Sequence, residues 1–257
     1  MVLPVTEFAP AKINLALHVL GRRADGYHEL DSIVAFADVG DELSFTPAAD
    51  FSLAATGPFA HLLPGPGDNI ITKVWRALGA SPMAISLVKN LPVSAGIGGG
   101  SANAAATCRA FQRLTGRSPD IALSLGADIP VCIISRAARM QGMGERVTPL
   151  DDFAPLHAVL ANPGIEMNTA AVFRNLALAS NETFWRNDLT PAAAALAPEI
   201  ATVLNTLQSQ PGIREARMSG SGTTCFGIFD NSNAARTAAA AMSTAHPSWW
   251  IRQTMLR

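Results

Sequence analysis

The chain has 257 residues, 49% of them hydrophobic, and a formal net charge of -1 at pH 7. That is enough apolar material for one large or two small cores without staples, and a near-neutral charge excludes a global attraction to nucleic acid or anionic membranes. Cys108, Cys132 and Cys225 show no Cys-x-x-Cys spacing, and no stretch reads as a signal peptide or a membrane span; a disulfide framework and a zinc site are therefore excluded, and a soluble, cytoplasmic protein with ordinary buried thiols is expected.

Residues 7–20 alternate Ile13, Leu15, Leu17 and Val19 with Lys12, Asn14, Ala16 and His18. Period two predicts a strand with one buried face; the other face is either solvated or the floor of a cleft. Only three lysines, Lys12, Lys73 and Lys89, stand among nineteen basic residues, so a lysine in an apolar strand asks for a specific reason. A turn-rich loop over 21–30 leads to a second strand over 32–37, a turn at Asp38, another strand to Thr46, and strand and loop over 51–67. Asn69 is placed to cap a helix whose Ile70, Val74 and Leu78 share a face.

A strand over 84–88 then runs into Pro92, Val93, Ser94, Ala95, Gly96, Ile97, Gly98, Gly99, Gly100, Ser101, Ala102 and Asn103, and a helix that Gly116 would end. Ser101 is the expected N-cap. The loop has no lysine for a Walker A motif, and position 101 is serine where a dinucleotide fingerprint from Gly96 needs glycine. What it offers instead is close backbone approach and the unpaired N–H groups of a helix start, a cradle for phosphate.

Further on, the pattern predicts a short helix over 119–124, then Asp128 among small and apolar residues, and a hairpin around 140–145 whose Arg136, Arg139 and Arg146 are mostly solvated. A boundary near 150–155 gives domains 1–152 and 153–257. A strand over 157–161 precedes a helix capped by Asn168 or Thr169; an alanine-rich stretch, 191–208, is interrupted at Pro198. A second glycine loop, with Gly220 and Gly222, precedes a strand, and a helix over 233–244 and a strand over 249–255 close the chain.

The segment from Pro92 to Asn103 resembles the ATP-binding motif of the GHMP kinases, with Ile97 where leucine is usual and Ala102-Asn103 in place of a common Ser-Asp or Ser-Asn. Pro10-Ala11-Lys12-Ile13-Asn14-Leu15 is similar to the first motif of the same kinases. Arg23-Ala24-Asp25-Gly26-Tyr27-His28 and Gly126-Ala127-Asp128-Ile129-Pro130-Val131 narrow the resemblance to the 4-diphosphocytidyl-2-C-methyl-D-erythritol kinase family. Arg217 to Phe229 resembles the third GHMP motif, in which Gly220 and Gly222 let backbone pack against the phosphate loop.

The resemblance implies an α+β, two-domain GHMP kinase fold with a left-handed βαβ unit at the glycine loop, a smaller α/β-sandwich C-terminal domain and substrate in the cleft between domains. It implies ATP-dependent phosphorylation of the 2-hydroxyl of a cytidine diphosphate substrate in the non-mevalonate isoprenoid route. Lys12 and Asp128 would be catalytic, and Pro92 to Asn103, with Asn69 and Lys89, would hold ATP. Asn14, Tyr27, His28, Thr169 and Phe173 would hold the substrate, Tyr27 and Phe173 stacking on the base and His28 pairing with it. Mg2+ would arrive with the nucleotide, near the Ser101 hydroxyl, without metal ligands of its own. A homoserine or mevalonate kinase is the nearest rival, against which the segment from Arg23 to His28 speaks. A catalytically silent nucleotide sensor is another, against which the retention of Lys12 and Asp128 speaks. The sequence sets no oligomeric state.

Overall fold

The computed structural model describes residues 4–120, 125–177 and 184–257. These residues form two compact units of interleaved segments: Met1–Ala11, Val39–Val93 and Gly98–Ser135 in the first, Lys12–Asp38, Ser94–Ile97 and Arg136–Arg257 in the second. The boundary expected at 152/153 falls inside the last segment of the second unit.

In the first unit, β3 (Ser52–Thr56) runs parallel to β4 (Met83–Val88), and β4 pairs antiparallel with the end of β2 (His28–Pro47), Leu43 opposite Leu87. Between β3 and β4 lies α1 (Ile70–Ala77), so a parallel βαβ unit immediately precedes the glycine loop. Asn69 caps α1 as expected, its side-chain oxygen accepting from the Ile71 amide. The buried face of α1 carries Trp75, whose ring centroid lies 5.6 Å from Phe45 on β2 and 6.4 Å, edge-on, from Phe111 on α2 (Gly99–Thr115). Fully burying side chains of this size contributes roughly 1.5–3 kcal/mol each.

The turn expected at Asp38 is absent, and β2 is one continuous strand of 20 residues. Gly40, which reads as a turn signal, serves close packing: a Cβ there would overlap the Ala9 carbonyl of β1 (Val5–Arg22). The short helix expected over 119–124 lies partly outside the described residues. A helix absent from the sequence reading, α3 (Ile129–Ile134), starts with Pro130 in its first turn, where proline's missing N–H has no helical partner to lose, and packs on α2.

In the second unit, the start of β2 pairs with β5 (Ala138–Gly142), which forms the expected hairpin with β6 (Arg146–Pro149). Its arginines are exposed but paired: Arg139 with Asp31, Arg146 with Glu29 and Arg136 with Asp151. The end of β2 in this unit meets β10 (Trp250–Leu256), and β10, β7 (Leu156–Asn162), β9 (Cys225–Phe229) and β8 (Ile213–Met218) continue as antiparallel neighbours. Three helices pack through Ile200, Val203, Leu207, Ala193 and Met242 into a core with Val159, Phe229 and Ile251: α5 (Thr190–Leu196), α6 (Glu199–Gln208) and α7 (Ser232–Ala245). Pro198 separates α5 from α6, as its missing N–H requires. All three cysteines are buried thiols. Burial pushes the Cys108 thiol up to about 11 and Cys225 higher still, so neither is a nucleophile at neutral pH.

Candidate active site

In the first unit the glycine loop ends where α2 begins, and the helix starts earlier than the serine rule predicts. Gly98, at φ +64°, occupies the N-cap position, and its carbonyl accepts from the Ala102 amide at 2.8 Å. A left-handed start of this kind suits glycine. Ser101 is thereby corrected from cap to third helical residue. The amides of Gly99, Gly100 and Ser101 precede Ala102, the first amide to donate within the helix, so they and the helix dipole are available to an anion. Asn103, in the next turn and 3% exposed, keeps Oδ1 buried without a hydrogen-bond partner among the described residues.

Asp128 lies at the N-cap position of α3 without a side-chain capping bond, half-buried. The turn that carries it touches the glycine helix: a Cβ on Gly126 would stand 3.4 Å from the Ser101 hydroxyl. A carboxylate is thus held on the segment adjoining the first turn of α2. Lys89, read as a nucleotide contact, is 2% exposed, and its ammonium donates to Asp41 at 2.5 Å. The other oxygen of Asp41 accepts from the Asn90 and Leu91 amides. Lys89 therefore anchors the entrance of the loop through a buried ion pair, a role the sequence could not show because Asp41 lies 48 positions away.

In the second unit β1 departs from the one-sided strand that its alternation predicts. Every residue from Ala9 to Val19 is buried, including Lys12, Asn14 and His18. The polar face is not solvated; it is internally bonded. Lys12 Nζ donates to Asn14 Oδ1 at 3.0 Å, Asn14 Nδ2 donates to the Ser32 hydroxyl at 2.8 Å, and Ser32 donates to the Ala16 carbonyl. The Lys12 amide donates to the Ile97 carbonyl, which ties this strand to the glycine loop. Gly96, at φ +74°, packs against the second glycine loop so closely that a Cβ on Gly220 would lie 2.6 Å from the Gly96 carbonyl oxygen. Ser219 joins the three parts: its hydroxyl accepts from the Asn14 amide and donates to the Gly96 carbonyl. The sequence reading credited only the glycines of that loop and missed Ser219.

The same unit holds all five substrate candidates, Asn14 in that row and the other four in two further segments. A tight loop, in which the Arg23 amide donates to the Tyr27 carbonyl and the Tyr27 amide to Asp25, leaves Tyr27 59% exposed. His28 next to it stacks on Phe173, with centroids 4.7 Å apart and planes at 24°. Burial, and then the charge of Arg22, lowers the His28 pKa below its ordinary value. Phe173 lies one turn from Thr169 on α4 (Thr169–Arg174), whose N-cap is Asn168, and the Thr169 and Ser221 hydroxyls are hydrogen-bonded at 2.7 Å.

Comparison with known proteins gives the family. The GHMP kinases N terminal domain matches residues 69–136 and the GHMP kinases C terminal family matches residues 167–248. The 4-diphosphocytidyl-2-C-methyl-D-erythritol kinase of Dinoroseobacter shibae is 47% identical over 99% of this chain and 96% of its own. That of Cereibacter sphaeroides strain KD131 is 50% identical over 95% and 96%. A crystal structure of 4-(cytidine 5'-diphospho)-2C-methyl-D-erythritol kinase superposes with a TM-score of 0.80 at 32% identity, covering 98% of this chain and 99% of the other. A homoserine kinase from Cytophaga hutchinsonii reaches 0.68 at 16% identity over 99% and 95%, and shares the fold alone. With near-full-length identity at this level, the chain belongs to the 4-diphosphocytidyl-2-C-methyl-D-erythritol kinase family of the GHMP kinases.

Proposed function

We propose that this ATP-dependent small-molecule kinase transfers the γ-phosphoryl group of ATP to the 2-hydroxyl of 4-diphosphocytidyl-2-C-methyl-D-erythritol, giving the 2-phosphate and ADP. The observation that carries the choice of acceptor is the stacking of His28 on Phe173, which joins two segments more than a hundred residues apart, with the exposed Tyr27 next to His28 in the chain. An exposed tyrosine beside a stacked histidine and phenylalanine offers flat faces to a pyrimidine, and stacking of this kind contributes roughly 1–3 kcal/mol per base.

Phosphoryl transfer asks for positioning and for charge stabilisation. The residues from Pro92 to Asn103 supply the first, with the amides at the start of α2 directed at the phosphates; Asn69 and Lys89 belong to the structure that carries this loop, and Asn69 Oδ1 is engaged by the cap. Asp128 accepts the proton of the acceptor hydroxyl as its oxygen bonds to the γ-phosphorus and the bond to the ADP oxygen breaks. Lys12, held by Asn14, offsets negative charge on the transferring group. Mg2+ would arrive with the nucleotide, near the Ser101 hydroxyl. Bound Mg2+ supplies charge neutralisation on the phosphates. No helix among the described residues is long and apolar enough to cross a membrane, and we place the reaction in the cytoplasm.

The test is turnover with ATP against a panel of acceptors: the cytidine diphosphate substrate, the free methylerythritol phosphate, homoserine and mevalonate, with ADP release as readout. Turnover confined to the cytidine acceptor is expected. Equal or faster turnover with homoserine or mevalonate overturns the assignment.

A further inference from the structure

We propose that Asn187 is a positioning residue for the glycine loop, acting through the turn at Ser219 and Gly220; the inference rests on the reading of that loop as the nucleotide cradle. Asn187 is 7% exposed and spends every hydrogen-bonding group it has on backbone. Its Nδ2 donates to the Met218 carbonyl at 2.9 Å and the Gly220 carbonyl at 2.8 Å, and its Oδ1 accepts from the Leu189 amide at 3.0 Å. The chain on either side is bolted to β1, since the Leu17 amide donates to the Arg186 carbonyl and the Asp188 amide to the Leu17 carbonyl.

The turn so held is the one whose Ser219 bonds the Gly96 carbonyl and whose Gly220 backbone leaves no room for a Cβ against Gly96. A segment with four glycines has little conformational preference of its own, and a phosphate cradle works only if its amides already point at the ligand. The two loops also share the bond from the Thr224 amide to the Ala95 carbonyl at 3.2 Å. Asn187 bonds the second loop on both sides of Ser219, at the Met218 and Gly220 carbonyls, and so it sets where that turn, and Gly96 against it, can lie.

Two variants test this. Asn187→Asp keeps the shape and the acceptor for Leu189 but loses both donations; Asn187→Ser removes them without adding charge. Dissociation constants for ADP are to be measured in both, with the thermal midpoint and the steady-state KM for each substrate, and each is to be combined with Ser219→Ala. The expected result is an ADP Kd raised about tenfold or more in either folded variant, an acceptor KM that moves much less, and a double variant little worse than the weaker-binding single one, because both changes release the same turn. A folded variant that binds ADP within about twofold of the unsubstituted chain overturns the proposal, even with a lowered midpoint, and so do losses that simply multiply. ADP binding needs no acceptor, so a chain inactive toward the cytidine substrate leaves the test intact; a chain that binds no ADP overturns both readings.

Discussion

The buried pair between Lys89 and Asp41 yields the sharpest consequence for stability. Both side chains are essentially inaccessible, at 3% and 0%, and the Asp41 carboxylate takes three bonds, from Lys89 Nζ at 2.5 Å and from the Asn90 and Leu91 amides at 2.8 and 2.9 Å. In Asp41→Asn the side-chain oxygen can serve either the two amides or the ammonium, and the new NH2 group must face a donor. The Lys89 charge is also left buried without a counter-charge, a loss of about 3–5 kcal/mol when one partner of such a pair is removed. For a chain of this size each kcal/mol lowers the midpoint by roughly 2–4 °C, so a drop of roughly 6–20 °C is expected. Thermal and urea unfolding of Asp41→Asn, Lys89→Met and the double variant give the assay. The double variant removes both charges and should recover part of the loss. A fall below about 1 kcal/mol in Asp41→Asn would refute the claim that this pair is a buried anchor. An ATP KM raised in the double variant while stability is recovered would show that Lys89 acts on the nucleotide directly.

Three further outcomes follow from the site. Asp128→Asn should lower kcat about 10²–10⁴-fold, the range for loss of a general base, with ADP affinity near that of the unsubstituted chain; equal loss of both would mark Asp128 as structural. Phe173→Ala should raise the KM for the cytidine acceptor about five- to hundredfold, the equivalent of one lost stacking face, with the ATP KM unchanged; no change in the acceptor KM would remove Phe173 from the substrate site. His28 has a pKa lowered by burial and by Arg22. The fold therefore favours its neutral ring, and that contribution to stability is complete above 6.5 and is lost as the pH falls through the lowered value. Titration of the His28 ring signals by NMR should give a midpoint below 6.5, and one at or above it would contradict the packed stack.

Local chemistry alone made much of the chain legible. Asn69 before an amphipathic run reads as a cap, Pro198 as a helix interruption, and the hairpin around residues 140–145 followed from its turn residues. The failures have two causes. At Gly40 a residue that signals a turn serves instead the close passage of two strands, a role set by Ala9, distant in sequence. At Gly98 a glycine in a left-handed conformation displaces the serine that capping statistics favour, a local choice of backbone.

The order of strand, glycine loop and helix, the lysine in the first strand and the aspartate after the glycine helix lie in the sequence itself, because period, glycine content and residue chemistry are local quantities. Only the tertiary structure could turn the polar side of β1 from a solvated face into the bonded row of Lys12, Asn14 and Ser32, commit Lys89 to Asp41, lay His28 on Phe173, and seat Gly96 under a turn held by Asn187. Burial and hydrogen-bond partnership depend on which distant segments the fold brings within a few ångströms, and no spacing along the chain encodes that by itself.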